Sequence, residues 1–100
     1  MALARHDWPE AFEQLSAADR DGRLSGADLE SLALASFFAA RADVELDAKE
    51  RAFKAYEVEG NELRAAYQAL DVARRYGMSG KISIASAWLR RAERIIPDIP

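Results

Sequence analysis

The sequence predicts an all-α protein of five antiparallel helices that stack as helical hairpins. Apolar residues recur at the spacing of an amphipathic helix along the chain, and polar or glycine-containing joints separate five such stretches. A short alanine-centred string also recurs at intervals of 41 and 40 residues, as EAF at 10–12, RAF at 51–53 and RAE at 91–93. Half of the 100 residues are hydrophobic, which suffices for the core of one small domain, residues 1–100.

The first helix is predicted over residues 7–20. Asp7 can cap its free N–H groups, and Pro9 suits the first turn because proline has no N–H to satisfy. One apolar stripe follows at helical spacing, formed by Trp8, Ala11, Phe12 and Leu15. Gly22 and its polar neighbours end this helix.

The second helix is predicted over residues 26–41, with Ser25 as its N-cap and Asp28 completing a capping box. Its main apolar face consists of Leu29, Leu32, Ala33, Ser36, Phe37 and Ala40. Leu34 and Phe38 add apolar surface on another side, so we expect this helix to be packed on two sides.

The third helix is predicted over residues 44–59, capped by Asp43 and ended by Gly60. Its apolar face comprises Val44, Ala48, Ala52, Ala55 and Tyr56. The fourth helix, residues 61–76, begins with Asn61 as its cap. It has two apolar faces, one with Leu63, Ala66, Tyr67 and Leu70 and one with Ala65, Ala69, Val72 and Tyr76.

The fifth helix is predicted over residues 81–96 and ends at Pro97. Its inner stripe is formed by Ala85, Trp88, Leu89, Ala92 and Ile96. Ile82 and Ile84 alternate as in a strand, but no partner strand is evident, so the segment is assigned to the helix.

The repeat makes Ala11, Ala52 and Ala92 equivalent positions in helices one, three and five. Helices two and four, each apolar on two sides, lie between them. Stacked hairpins require this alternation, because each hairpin buries itself against the next one. The alternative is a plain bundle of the same five helices.

Three stretches carry a family resemblance: LSGADLESLALASFFAAR, ERAFKAYEVEGNELRAAYQAL and AWLRRAERII. In order and spacing they resemble the tetratricopeptide-like helical region of bacterial, mainly actinobacterial, LuxR-type transcriptional regulators and related multidomain signalling proteins. The chain departs from the family pattern at Ala40 and Ala87, where glycine is usual, and at Asn61, where aspartate is usual. The resemblance implies a protein–protein interaction or signal-relay module without enzymatic activity, serving a regulator.

Composition narrows the function classes further. The net charge of −3 argues against a broad basic face for nucleic acid, and the absence of cysteine excludes thiolate metal sites and thiol nucleophiles. The single histidine, His6, has no partner at metal-ligand spacing, so we expect it to be exposed. No apolar run is long enough to span a bilayer, which favours a cytoplasmic location. We expect no metal and no other cofactor.

An alternative function is a degenerate calcium-responsive helical protein. In the stretch AADRDGRLSGAD, Asp19, Asp21 and Asp28 fall at the third, fifth and twelfth positions of an EF-hand loop whose sixth position is Gly22. The first position, however, is Ala17 rather than an aspartate. The same residues are also explained as a helix stop followed by a capping box.

A second alternative is a nucleic-acid-binding helical domain. The arginines that suggest it are Arg74, Arg75, Arg90, Arg91 and Arg94. The acidic overall charge and Glu93 within the run favour a solvated face instead. We expect Arg91 to pack and to pair with a carboxylate of the preceding hairpin.

Two surfaces are predicted to bind protein. Helix four should line a concave face through Arg64, Tyr67, Gln68 and Asp71. The last helix should expose Ile84, Ile95, Ile96 and Ile99, because nothing follows to cover them. The expected partners are another protein or a neighbouring domain of the same chain, or a second copy that pairs through this uncapped helix.

Overall fold

The computed structural model describes residues 7–22 and 24–96, and within these ranges all regular structure is helical. The helices are α1 (Trp8–Arg20), α2 (Gly26–Phe38), α3 (Ala42–Glu59), α4 (Glu62–Met78) and α5 (Ile82–Ile95). The prediction of an all-helical chain with five helices is therefore confirmed for the described residues. His6 and Ile99, for which the sequence predicts exposure, lie outside them.

Three of the predicted caps are present. The Asp7 carboxylate accepts from the N–H of Glu10, Asn61 accepts from the N–H of Arg64, and Ser25 forms the full capping box with Asp28. The predicted cap at Asp43 is wrong. Helix α3 begins two residues earlier than expected, at Ala42, and has no side-chain cap.

The early start of α3 follows from how α2 ends. Helix α2 stops at Phe38, three residues before its predicted end, and Ala40 adopts a left-handed conformation with φ of 59°. The N–H of Arg41 then donates to the carbonyl of Ser36 at 2.8 Å, and the N–H of Ala40 donates to that of Phe37 at 3.1 Å. These two bonds define a Schellman ending, which reverses the chain within three residues.

The same ending recurs at intervals of 20 residues. At the α3–α4 joint Asn61 donates to the carbonyl of Tyr56, and at the α4–α5 joint Lys81 donates to that of Tyr76, both at 2.9 Å. Gly60 and Gly80 take the left-handed position that Ala40 takes at the first of these joints. Helices α2 to α5 are thus joined by copies of one turn. At the α1–α2 joint, Gly22 is also left-handed, with φ of 71°, and its N–H donates to the carbonyl of Asp19 at 2.8 Å.

The core follows the same 20-residue spacing. Leu32, Ala52, Val72 and Ala92 occupy corresponding turns of α2, α3, α4 and α5, and each is at most 1% exposed. Ala11 of α1 is equally buried, so all three alanines of the sequence repeat lie in the core. Alanine at these positions lets helix backbones approach closely, while leucine and valine fill the space between them.

Helix contacts are ordered along the chain. Within the described ranges, close backbone contacts join only consecutive helices: α1 with α2, α2 with α3, α3 with α4, and α4 with α5. Side chains then reach the helix after next. Arg51 of α3 binds Asp19 of α1, Arg64 of α4 binds Glu30 of α2, and the rings of Phe53 in α3 and Trp88 in α5 meet edge to face at 5.3 Å.

Several apolar residues expected in the core are exposed instead. Phe37 of α2, Leu63 of α4 and Leu89 of α5 are all at least 40% exposed. Each lies on a helix side that no other described element covers. The main apolar face of α2 and the α4 face that contains Leu63 are therefore only partly buried. Leu34, which belongs to the extra apolar surface of α2, borders the groove described next.

Candidate functional site

An open groove of about 1100 Å³ runs between α2 and α4, with α3 as its floor. We call it the central groove. The wall contributed by α4 includes one helix face, on which residues follow at alternate steps of four and three: Arg64, Gln68, Asp71, Arg75 and Met78. Arg74, next to this face, also lines the groove. The α2 wall includes Glu30, Leu34 and Phe37. The floor is formed by α3 side chains that include Glu45, Lys49 and Tyr56.

A chain of ion pairs crosses the middle of the groove. Glu45, only 4% exposed, accepts from Arg75 at 2.5 Å and lies 3.3 Å from the Lys49 ammonium. Lys49 also contacts Asp71 at 3.6 Å, and Asp71 contacts Arg74 at 3.2 Å. A buried carboxylate is tolerated only when it is paired, so Lys49 and Arg75 are what allow Glu45 to lie at the floor.

A second polar cluster lies where α2 and α4 begin and α3 ends. Glu30 accepts hydrogen bonds from the Tyr56 hydroxyl at 2.9 Å and from the Arg64 guanidinium at 2.8 Å. Burial raises the pKa of Tyr56, and its hydrogen bond to Glu30 raises it further. Tyr56 therefore stays a neutral donor over the ordinary pH range and ties α3 to α2.

Gln68 stands between these two clusters and is incompletely bonded. The residue is 6% exposed, and its Oε1 atom is buried without a hydrogen-bond partner among the described residues. An unpaired buried carbonyl oxygen is a destabilising feature, and few folded proteins retain many of them. Because Gln68 lines the groove wall, a rotation of its side chain would bring this oxygen to a donor on a bound molecule.

The opposite end of the groove is apolar. Leu34, Phe37 and Met78 border it and are 48%, 58% and 78% exposed, respectively. We call these three residues the apolar shelf. Side chains of this size on a groove wall offer contact area to a ligand and gain little from facing water.

The structure brings together three of the four residues that the sequence assigned to a concave face. Arg64, Gln68 and Asp71 line the central groove, whereas Tyr67 points away from it and is 51% exposed. Tyr67 lies one residue before Gln68, which places it on a different side of α4.

The apolar surface predicted on the last helix is distributed differently. Ile84 is exposed, but Ile95 and Ile96 are half-buried, and Ile95 packs against the core. The exposed apolar residues of α5 are instead Ile82, Ile84 and Leu89, toward its first two turns. Ile99, the fourth predicted residue, lies outside the described range.

The loop that resembles a calcium site is occupied by other interactions. Both carboxylate oxygens of Asp19 accept from the two terminal nitrogens of Arg51, and this pairing lowers the pKa of Asp19. Asp28 accepts from the N–H of Ser25 in the capping box. In residues 7–22 and 24–96, no group of three or more histidine or acidic side chains is arranged to hold a metal ion.

The arginines proposed for nucleic acid are divided between different environments. Arg75 is tied to Glu45, and Arg74 to Asp71. Arg91 lies 4.3 Å from the centre of the Trp88 ring and 6.0 Å from that of Phe53, so within the described residues it packs on aromatic rings rather than on a carboxylate. Only Arg90 and Arg94 of this set are exposed on α5.

Sequence patterns did not identify two parts of the groove. Glu45 and Lys49 are assigned to no site by the sequence analysis, although their spacing of four residues and the neighbouring core alanine at 48 are a signal of partial burial. The apolar shelf was missed because its residues look like core residues in the sequence. Only the position of α2 relative to α4 exposes them.

Comparison of the chain with protein families, curated proteins and solved structures found no match. Of the helices described here, none has the length and apolar character required to cross a membrane.

Proposed function

We propose that this chain is a tetratricopeptide-like interaction module that binds a peptide segment of another protein in the central groove. The observation that carries the proposal is the groove itself. It is open along its length, and it places a charged row and an apolar shelf on helices, next to a buried acceptor that has no partner within residues 7–22 and 24–96. These are features of a recognition surface rather than of a closed pocket for a small substrate.

Two further observations support a stacked-hairpin arrangement. The same turn recurs every 20 residues, and side chains such as Arg51 and Arg64 connect each helix with the helix after next. Repeat proteins of stacked hairpins are built from such local, recurring contacts, and they bind partners along extended surfaces. The resemblance to LuxR-type regulators supports a role as the interaction or relay part of such a protein, and we include that role in the proposal.

The test is a selection of random peptides displayed on phage against the full 100-residue chain. A Phe37→Asp/Met78→Asp double variant removes the apolar shelf at two exposed positions. The matched control is Val58→Asp/Leu63→Asp, which changes two exposed apolar residues of α3 and α4 outside the groove. We expect enriched peptides to bind the wild type and the control but not the shelf variant.

Circular dichroism and thermal unfolding should show that both double variants remain folded. If no sequence is enriched, or if enriched peptides bind the shelf variant as tightly as the wild type, the proposal is wrong.

A further inference from the structure

We infer that the occupant of the central groove is an extended acidic segment that carries one large apolar side chain. This inference rests on the proposed function and specifies the chemistry of the partner. Three properties of the groove lead to it: the exposure of its charges, the unpaired oxygen of Gln68, and the position of the apolar shelf.

The charges favour an acidic ligand. Of the described residues that line the groove, four are cationic and three carry carboxylates, although the whole chain has a net charge of −3. The two most exposed charged side chains of the lining are also cationic. Arg74 and Arg64 are 68% and 48% exposed, whereas the carboxylates of Asp71, Glu30 and Glu45 are 42%, 27% and 6% exposed. An arriving ligand therefore meets guanidinium groups first, and these bind carboxylates well in planar, two-bond geometry.

The unpaired oxygen of Gln68 favours an extended backbone. This buried atom has no N–H or O–H donor among the described residues. The Gln68 side chain lies on the wall between Arg64 and Arg74, where a rotation would bring the oxygen to the groove surface. A bound helix has used its backbone N–H groups internally, except in its first turn, whereas an extended segment offers free ones along its length. One backbone N–H of such a segment can satisfy Gln68.

The geometry of α4 sets the spacing of the recognised residues. Arg64 and Arg74 are about 15 Å apart along the helix axis, and Arg74 and Met78 about 6 Å apart. An extended chain advances about 3.3 Å per residue. The two carboxylates should therefore be four to five residues apart, with the apolar residue about two positions beyond the carboxylate that meets Arg74.

Fluorescein-labelled peptides with blocked ends test this spacing. The probes are DSASDSF and its reverse, FSDSASD. Both are needed because the spacing does not determine whether the bound segment runs parallel or antiparallel to α4. Their counterparts are NSASNSF and FSNSASN, which lack the charges, and KSASKSF and FSKSASK, which reverse them. Fluorescence anisotropy with the full chain at low salt should show that one acidic probe binds at least tenfold more tightly than its neutral counterpart, and that the lysine peptides bind no more tightly than the neutral ones.

Variants then connect binding with the groove. Arg74→Glu should weaken binding of the acidic probe at least tenfold, whereas Arg90→Glu, an equal charge change at an exposed position of α5, should change it less than twofold. Gln68→Met keeps the shape of the side chain and removes the unpaired oxygen. We expect this substitution to raise the unfolding temperature of the chain and to weaken its binding of the acidic probe at least fivefold. A merely structural role of Gln68 would not produce both effects.

The outcomes separate this inference from the proposed function. Enrichment of neutral or basic sequences in the phage selection, or equal binding of acidic and neutral probes, would overturn the inference that the ligand is acidic. The proposed function as a peptide-binding module would still stand. If no peptide of any kind binds, both are overturned. A dimer of the chain that Arg74→Glu or the shelf variant dissociates would show that a second copy, not an acidic segment, occupies the groove.

Discussion

The backbone of Gly26 lies directly against the ring of Tyr56. A Cβ atom added at position 26 would lie 2.6 Å from Cδ1 of that ring, well inside normal contact distance. The N–H of Gly26 donates to Glu59 at 2.8 Å, and the Tyr56 hydroxyl donates to Glu30. The start of α2 is thereby held against the end of α3, at the polar end of the central groove.

Gly26→Ala should therefore destabilise the protein. Tyr56 is 4% exposed and has little room to move, so overpacking should lower the free energy of unfolding by about 1–3 kcal/mol. Gly77→Ala is the matched control, because the nearest atom to an added Cβ there is 3.9 Å away. It lies within α4, where alanine is the better helix former, and should stabilise by up to about 1 kcal/mol. Chemical denaturation of both variants measures the difference. Equal effects would show that the contact with Tyr56 is not tight.

Ala40→Gly should stabilise the protein. Among the described residues other than glycine, Ala40 alone has a positive φ. The equivalent positions at the next two joints are glycines. Relief of the left-handed strain should raise the free energy of unfolding by about 1 kcal/mol. The reverse change, Gly60→Ala, meets no atom within 4 Å and should cost a similar amount through backbone strain alone. Thermal unfolding of both variants provides the test, and a loss of stability in Ala40→Gly would contradict this account of the joint.

The Asp19–Arg51 pair should make stability depend on pH in the acid range. Hydrogen bonds from Arg51 hold the pKa of Asp19 below its ordinary value of 3.8. Because the folded-state pKa is the lower one, the stabilisation is present above about pH 4 and is lost as the pH falls through the folded value. Asp19→Asn should thus cost about 1 kcal/mol at pH 7 and less at pH 2.5.

Asp47→Asn is the control for that pair, since Asp47 is more exposed and lies 3.5 Å from Arg51. It should have a smaller effect at both pH values. Urea unfolding of both variants at pH 2.5 and pH 7 gives the change in the free energy of unfolding relative to the wild type. If Asp19→Asn lowers this free energy equally at the two pH values, the ion pair does not contribute.

Arg91 should contribute to stability, whereas its neighbour Arg90 should not. The Arg91 guanidinium lies over Trp88, which in turn packs on Phe53. Arg91→Ala should lower the free energy of unfolding by about 1 kcal/mol through lost cation–π and packing contacts. Arg90→Ala changes an exposed side chain and should stay within about 0.5 kcal/mol of the wild type. Indistinguishable thermal unfolding of the two variants would mean that the stacking contributes nothing.

Much of the local structure could be predicted because its causes lie within a few residues. The caps at Asp7, Ser25 and Asn61 follow from side chains that reach N–H groups three residues away. The predicted end of α2 is wrong because alanine does not indicate a left-handed turn in a sequence. The family resemblance, in which glycine is usual at position 40, did indicate a turn there. Because α2 ends early, α3 begins early, at Ala42. Asp43 then lies inside the helix and cannot be its N-cap.

The groove was predicted only in part. Arg64, Gln68 and Asp71 were assigned to one face from the 3.6-residue period of α4, and the structure places them on one wall. Their partners could not be deduced in this way. Glu30 is 34 residues from Arg64, and Glu45 is 30 residues from Arg75, so their contacts depend on how whole helices are arranged.

The sequence by itself determined the number of helices, most of their ends and the buried alanines that repeat through the chain. Helical periodicity and capping act over short distances, so these features need no knowledge of the fold. The tertiary structure alone decided which apolar faces stay exposed, which charges are buried in pairs, and that α2 and α4 stand apart over α3. Those features depend on the relative positions of helices, which are set by contacts between distant residues, such as the side-chain hydrogen bonds that join residues 26 to 34 positions apart.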